Sequence, residues 1–357
     1  RKQKMNYITN SDTIIFNSKF NEELDTELIS GYKKLIFSNY ELNKKLFESY
    51  ANNNFDGLIY IESKFNQNVS SLLHSITHLI FGTCFNQDVS SLPQGITYLT
   101  FGYNFNQDVS KLPPFLTNLT FGHCFNQDVS VLPPTLTHLT FGCNFNQDVS
   151  KLPSFLTNLT FGSSFNQDAS VLPHNLTHLT FGYNFNQDVS NLPPSLTHLT
   201  FGWYFNRNIS KLPQGLTHLT FGHNFNQIID GEKLPNSLTT LIFGDLFNKQ
   251  INFFPPNLNT LAFGYYYNQC LPRLPENLIE LVFGPAIVAT DIRTSKPNQS
   301  CTTQQCIDGT KVYYASNNGY PTNQTVTPPN TVGGCAWNGQ KDNNNWFFFQ
   351  ASGSTAY

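Results

Sequence analysis

The chain has 357 residues, a formal net charge of −3 and only 12 % charged residues. A nucleic-acid binder would carry a basic stripe, and none is present, so DNA and RNA are not expected partners. No run of eighteen apolar residues occurs, so no helical membrane span is expected.

The first ten residues, RKQKMNYITN, are basic but lead into no apolar core, so they do not read as a signal peptide. A weak repeat begins at IIFNSKFN. Degenerate copies are placed at Phe16, Phe37 and Ile61, which makes residues 1 to 59 a region of decayed N-terminal coils or a cap.

From about residue 60 to residue 284 the repeat is regular. Phe-Gly pairs stand at Phe81, Phe101, Phe121, Phe141, Phe161, Phe181, Phe201 and Phe221, each 20 residues from the last. A step of 22 residues leads to Phe243, and two of 20 lead to Phe263 and Phe283. Counting all three groups gives an expectation of fourteen coils. A fixed period in this range predicts a solenoid whose units touch only their neighbours. Inside it, KLPPFLTNLTFG (111–122) and KLPSFLTNLTFG (151–162) alternate with VLPPTLTHLTFG (131–142) and VLPHNLTHLTFG (171–182). That alternation records duplication of a two-coil block and carries no chemistry.

One coil shows the plan. Leu139, Thr140 and Phe141 alternate as in a half-buried strand. Gly142 permits a sharp bend there. Phe145 returns to the core. Asn146 follows it, and an inward Asn must be hydrogen-bonded. Asn86, Asn106, Asn126, Asn146, Asn166, Asn186, Asn206 and Asn226 are therefore expected to form a ladder onto the neighbouring coil's backbone. Leu132-Pro133-Pro134 lies on the return side, where paired prolines demand an extended path. Twenty residues leave no room for a strand and a full helix, so the return wall is expected to be extended or a short 3₁₀ turn. A single coil cannot bury its own Leu and Phe, which is why the unit repeats.

The string LPPSLTHLTFGWYFNRNIS (192–210) resembles the FNIP repeat, a leucine-rich-repeat relative of slime-mould amoebae and giant DNA viruses. The resemblance covers residues 60 to 284 well and 12 to 59 weakly. Here the unit is mostly twenty residues, and Gln127 to Ser130 stand where the family carries Pro. The resemblance implies a curved right-handed solenoid with a parallel β-sheet on one wall, and a binding role. Many members of that family carry an N-terminal F-box, which residues 1 to 59 do not show.

In such a coil, side chains between and just after the strand leucines face one open wall. One column there begins at His78 and ends at His218, and a second is almost all Thr, from Thr100 to Thr220. The third follows each Gly and varies while its neighbours stay fixed, so packing does not dictate it. Tyr103, His123, Tyr183, Trp203, His223 and Tyr265 in that column are the candidate partner contacts, aromatics being good anchors. The alternative is drift on an exposed face. His178, His198 and His218 stand on consecutive coils, close enough to share a metal. No carboxylate or Cys joins their column, so surface histidines are the preferred reading and no metal site is expected. Asp88, Asp108, Asp128, Asp148, Asp168 and Asp188 form another row, read as turn caps rather than a cation row. Cys84 and Cys124 stand two coils apart, too far for a disulfide, and are expected to be free thiols. Ser, His and Asp recur by repetition alone. No catalytic group and no cofactor is expected.

After Gly284 the text changes. Residues 285 to 357 contain no Leu and are rich in Asn, Thr, Ser and Gly. Asn298 and Asn323 begin glycosylation sequons. Cys301 and Cys306 could pair in an oxidising compartment. The segment Trp346-Phe347-Phe348-Phe349 is too apolar to stay exposed. This tail is read as a cap on the last coil or as an element joining subunits. Two functions follow: a non-catalytic protein-binding scaffold, or a self-assembling structural subunit of a virion or extracellular filament. The free thiols favour cytoplasm (host cytoplasm or a virion if viral), while the sequon-bearing tail keeps an extracellular place open.

Overall fold

A computed structural model describes residues 6–43, 45–209, 211–230 and 234–284, and the backbone of 311–314. These fall into two compact units, one ending at Gly162 and the other beginning at Ser163. The first holds β1 (Tyr7–Thr9), β2 (Thr13–Phe16), α1 (Thr26–Ile29), β3 (Lys34–Phe37), α2 (Leu46–Asn52), β4 (His78–Ile80), β5 (Tyr98–Thr100), β6 (Asn118–Thr120), β7 (His138–Thr140) and β8 (Asn158–Thr160). The second holds β9 (His178–Thr180), β10 (His198–Thr200), β11 (His218–Thr220), β12 (Thr240–Ile242), β13 (Thr260–Phe263), β14 (Glu280–Phe283) and β15 (Lys311–Tyr314).

Each unit is a stack of coils that contribute parallel strands to one wall. In the first, equivalent residues pair, Leu99 with Leu119 and Leu119 with Leu139. In the second, Leu179, Leu199 and Leu219 pair in the same way. The step of 22 residues after Phe221 leaves this register intact, because His218 still pairs with Thr240. β1 runs antiparallel to β2 in a hairpin, with Asp12 and Thr13 donating backbone N–H groups to Asn10 Oδ1. At the other end, tail residues Lys311–Tyr314 lie parallel to β14.

The interior is Leu and Phe in fixed rows. Leu136, Leu139, Phe141 and Phe145 are all at most 2 % exposed. Within a coil, Phe141 and Phe145 stack at 3.7 Å; between coils, Phe121 and Phe141 stack at 5.8 Å. Each side chain therefore completes its burial against its own coil and the coil beside it. That is the physical content of a repeat that cannot fold alone. The return wall is extended, punctuated by tight turns such as Leu136 N–H to Pro133 O at 3.2 Å. No 3₁₀ helix forms among the described residues.

Two expectations need correction. Ile61 heads no coil. β3 pairs directly with β4, Lys34 beside His78. Phe37 stacks on Phe65 at 3.8 Å, as Phe81 does on Phe85 at 3.6 Å. The FNQ that begins at Phe65 thus closes the coil of Phe37, and residues between them are an insertion carrying α2 and a Tyr40–Tyr60 bridge. Asn39 stitches the insertion shut, its Oδ1 accepting from Ser63 N, Thr83 N and Thr83 Oγ1. Among the described residues the coils that carry β2 to β14 therefore number thirteen, seven in the first unit and six in the second. Gly142 has no left-handed backbone, since only Gly31 and Gly57 have positive φ among the glycines described. It is needed for close approach: a Cβ there would collide with the Gly122 carbonyl of the coil beneath.

Candidate functional site

The asparagine row bonds coil to coil. Asn126 N donates to Asn106 Oδ1 at 2.9 Å, and Asn206 N does the same to Asn186 Oδ1. Two further rows do similar work and were not foreseen. Gln127 Nε2 donates to Asn106 O and Oδ1 at 3.2 and 3.1 Å. Thr137 Oγ1 donates to Thr117 O at 3.1 Å. Their signal was present, since Gln and Thr are nearly as constant as Asn, but constancy was credited to Asn alone.

The varying column after Gly is brought together in two places. In the first unit, Tyr103, 40 % exposed, stacks on His123 at 4.4 Å and 6°. In the second, Tyr183 stacks on Trp203 at 5.5 Å, and Trp203 on His223 at 4.1 Å. His223 Nδ1 meets Asp245 Oδ2 at 2.9 Å. Asp245 Oδ1 in turn accepts from Tyr265 N at 3.3 Å. Asp245 follows Gly244 in the same column, but the choice of aromatic and histidine anchors passes over a carboxylate there. The result is a row of stacked rings on consecutive coils, ended by a His–Asp pair.

The strand histidines also stack. His178 and His198 lie 4.2 Å apart, His198 and His218 4.1 Å. The Nδ1 of each pairs with a preceding Thr hydroxyl at 2.9 Å. Burial, then the neighbouring imidazoles, push His198 down to about 4, so that ring is neutral at pH 7. Among the described residues no group of three or more His, Cys, Asp or Glu could hold a metal ion. The Asp row caps turns: Asp108 accepts from Ser110 N at 2.9 Å and Ser110 Oγ at 2.7 Å. Those bonds hold the Asp108 carboxyl below its ordinary range. Cys84 and Cys124 are free thiols, and burial raises that of Cys124. Asn298, Cys301, Cys306 and Asn323, and the Trp346 segment, lie outside the described residues. No helix among the described residues is long and apolar enough to cross a membrane.

Stacked parallel-strand coils with a shared Leu/Phe interior and an extended return wall define a leucine-rich-repeat type of solenoid. The FNIP Repeat family model matches residues 65–104, 85–111, 105–144, 145–184, 185–224, 205–246 and 225–266, more than half of the chain. The chain belongs to the FNIP repeat family. Among solved structures it is similar to CroV588, a giant-virus protein described as a novel circular LRR protein. Identity is 36 % over 79 % of this chain and 54 % of that one, with a TM-score of 0.53. The chain thus spans about half the length of CroV588. An internalin, InlF from Listeria monocytogenes, matches at 21 % identity over 64 % of this chain and 73 % of its own, TM-score 0.48. Comparison with curated proteins gave no match.

Proposed function

We propose that this chain is a non-catalytic protein-binding scaffold that takes its partner on the aromatic row Tyr183–Trp203–His223, extended through Asp245 to Tyr265. Tyr103 and His123 form a second, smaller patch. Repeat solenoids of this type commonly mediate protein interactions. One observation carries the reading: the row varies where everything around it is constant, yet its rings are already stacked. Rings fixed in advance lose little conformational freedom on binding, and Trp and Tyr are the residue types that most often dominate interface energies.

The test uses the full chain as bait, with Trp203→Ala, Tyr183→Ala and Phe155→Ser variants. Phe155 is 63 % exposed and lies on the return wall. A partner retained by the wild type and by Phe155→Ser, and lost from the two row variants, supports the proposal. Retention by all three overturns it. So does light scattering that finds only large polymers of the chain, which would point to the structural-subunit reading instead.

A further inference from the structure

In the second unit the asparagine row opens into a groove of about 530 Å³. Its lining includes Asn184, Asn186, Tyr204, Asn206, Asn224 and Asn226. The ladder fixes how these amides face. Asn186 Oδ1 accepts from Asn206 N at 2.9 Å, Asn206 Oδ1 from Asn226 N at 2.9 Å, and Asn226 Oδ1 from Asn248 N at 3.0 Å. With each Oδ1 committed to the next coil, each Nδ2 is left as a donor without a protein acceptor. The side chains of Asn184 and Asn224 make no hydrogen bond at all, so each offers a donor and an acceptor.

Tyr204 interrupts this wall of amides. The same slot in the regular coils holds Cys84, Asn104, Cys124, Asn144, Ser164, Asn184 and Asn224, and no other aromatic. Tyr204 is 44 % exposed and braced edge-on by Tyr183, at 5.0 Å and 88°. Its ring is therefore held in place before any ligand arrives.

No charged side chain is among the lining residues; Arg207, beside them, is engaged through Nε with Asn186 O at 2.8 Å. A phosphate or sulfate would call for Arg or Lys, and a divalent cation for carboxylates. A peptide's apolar anchors would need deeper apolar pockets than Tyr204 and Leu246 supply. What remains is an uncharged ligand that donates and accepts many hydrogen bonds and has an apolar face for an aromatic ring. We infer that this groove binds an extended neutral oligosaccharide laid across successive coils, with Tyr204 stacked on one sugar and the free amides bonded to hydroxyls. The rungs repeat at about 4.8 Å, close to the rise per sugar of an extended β-1,4-linked hexose chain, so that roughly one sugar meets each coil. This goes beyond the protein-binding reading, which rests on other side chains.

The test titrates cellohexaose, chitohexaose, α-linked maltohexaose and a heparin oligosaccharide into the full chain by calorimetry. Tyr204→Ala, the double variant Asn184→Ala/Asn224→Ala, and Trp203→Ala are measured alongside, each after its melting temperature matches wild type. The ladder asparagines stay intact because they hold the fold. The expected result is saturable binding of a β-1,4 hexaose with Kd of about 1 mM or tighter. Tyr204→Ala and the double variant should each weaken it at least roughly tenfold, while Phe155→Ser on the return wall, measured alongside, leaves it unchanged. Four results overturn the inference: no binding of either β-1,4 hexaose, binding undiminished in Tyr204→Ala, binding only to heparin, or tighter binding of maltohexaose. Loss in Trp203→Ala with retention in Tyr204→Ala would move the ligand to the aromatic row and overturn it too.

Discussion

Replacing Gly142 by Ala probes the stacking directly. An added Cβ would lie well inside 3.0 Å of the Gly122 carbonyl, a backbone atom that cannot swing away. The two coils must part by about 1 Å or more, since a contact this short is repulsive. Two rung hydrogen bonds flank the point, Phe121 N to Thr140 O and Asn144 N to His123 O, both 2.9 Å. Losing them costs about 1 kcal/mol each, and overpacking the Phe121–Phe141 stack adds about 1–3 kcal/mol. The total is about 3–5 kcal/mol, which for a unit of this size lowers Tm by about 10 °C. The control is Gly215→Ala, whose Cβ would meet nothing nearer than Leu196 O at 3.8 Å. It should melt with the wild type or slightly above it. Thermal circular dichroism on both variants decides the matter. If Gly142→Ala melts with the wild type, successive Phe-Gly pairs do not abut backbone to backbone, and the stacked-coil account fails.

Asn106→Leu removes the acceptor for Asn126 N and for Gln127 Nε2; urea melts should show a loss of about 1–3 kcal/mol. Asn106→Asp keeps an oxygen there and should recover most of it. His198 is depressed to about 4, below the ordinary value of about 6.5 that it regains on unfolding. The unfolded chain therefore binds this proton first, and stability falls as pH drops from about 6.5 towards 4. Burial lowers His138 and His218 as well, adding to the same slope. Melting temperatures across that window should fall, and His198→Gln should flatten the fall; a flat wild-type profile would refute the stacked-imidazole account. The Asp row acts lower, its contribution lost only below about pH 3.8. Finally, mild oxidation should give no Cys84–Cys124 linked peptide by non-reducing mass spectrometry, because two rungs separate the thiols.

The strand, core and ladder positions were legible because a twenty-residue period reports equivalence of position directly. Leu139, Phe141, Phe145 and Asn146 each hold a place that only one wall of a coil can supply. What periodicity cannot report is which segment closes which coil. Phe65 looked like the start of a new repeat near Ile61, yet it stacks on Phe37. An insertion preserves the motif while breaking the spacing, and the pairing is decided in space. The glycine was legible as a constraint but not as its cause. Local reasoning assigns Gly to a turn, whereas the constraint here is the neighbouring carbonyl, twenty residues away in sequence. Tyr204 stands one residue past the varying column, in a slot exposed or half-buried in every regular coil, and its place beside the amides emerges only from the groove.

A perfect repeat is poor material for a site. Identical coils present identical columns, so a ligand would have as many equivalent positions as there are rungs. Specificity therefore has to come from where the repetition breaks. In this chain the breaks crowd together. Trp203 and Tyr204 replace smaller residues in one coil, and Arg207 there takes over the role of Gln, its Nε donating to Asn186 O at 2.8 Å. The longer step follows, and Asp245 then ends the aromatic row. The backbone register carries through these changes unaltered, from Leu199 to Leu219 to Leu241. Core and ladder residues hold the rungs in place there, which frees the outward slots to vary at little structural cost. On the proposed function, the same division of labour that makes the fold tolerant of change leaves coils 201 to 245 as the part of the second unit where one ligand would be told from another.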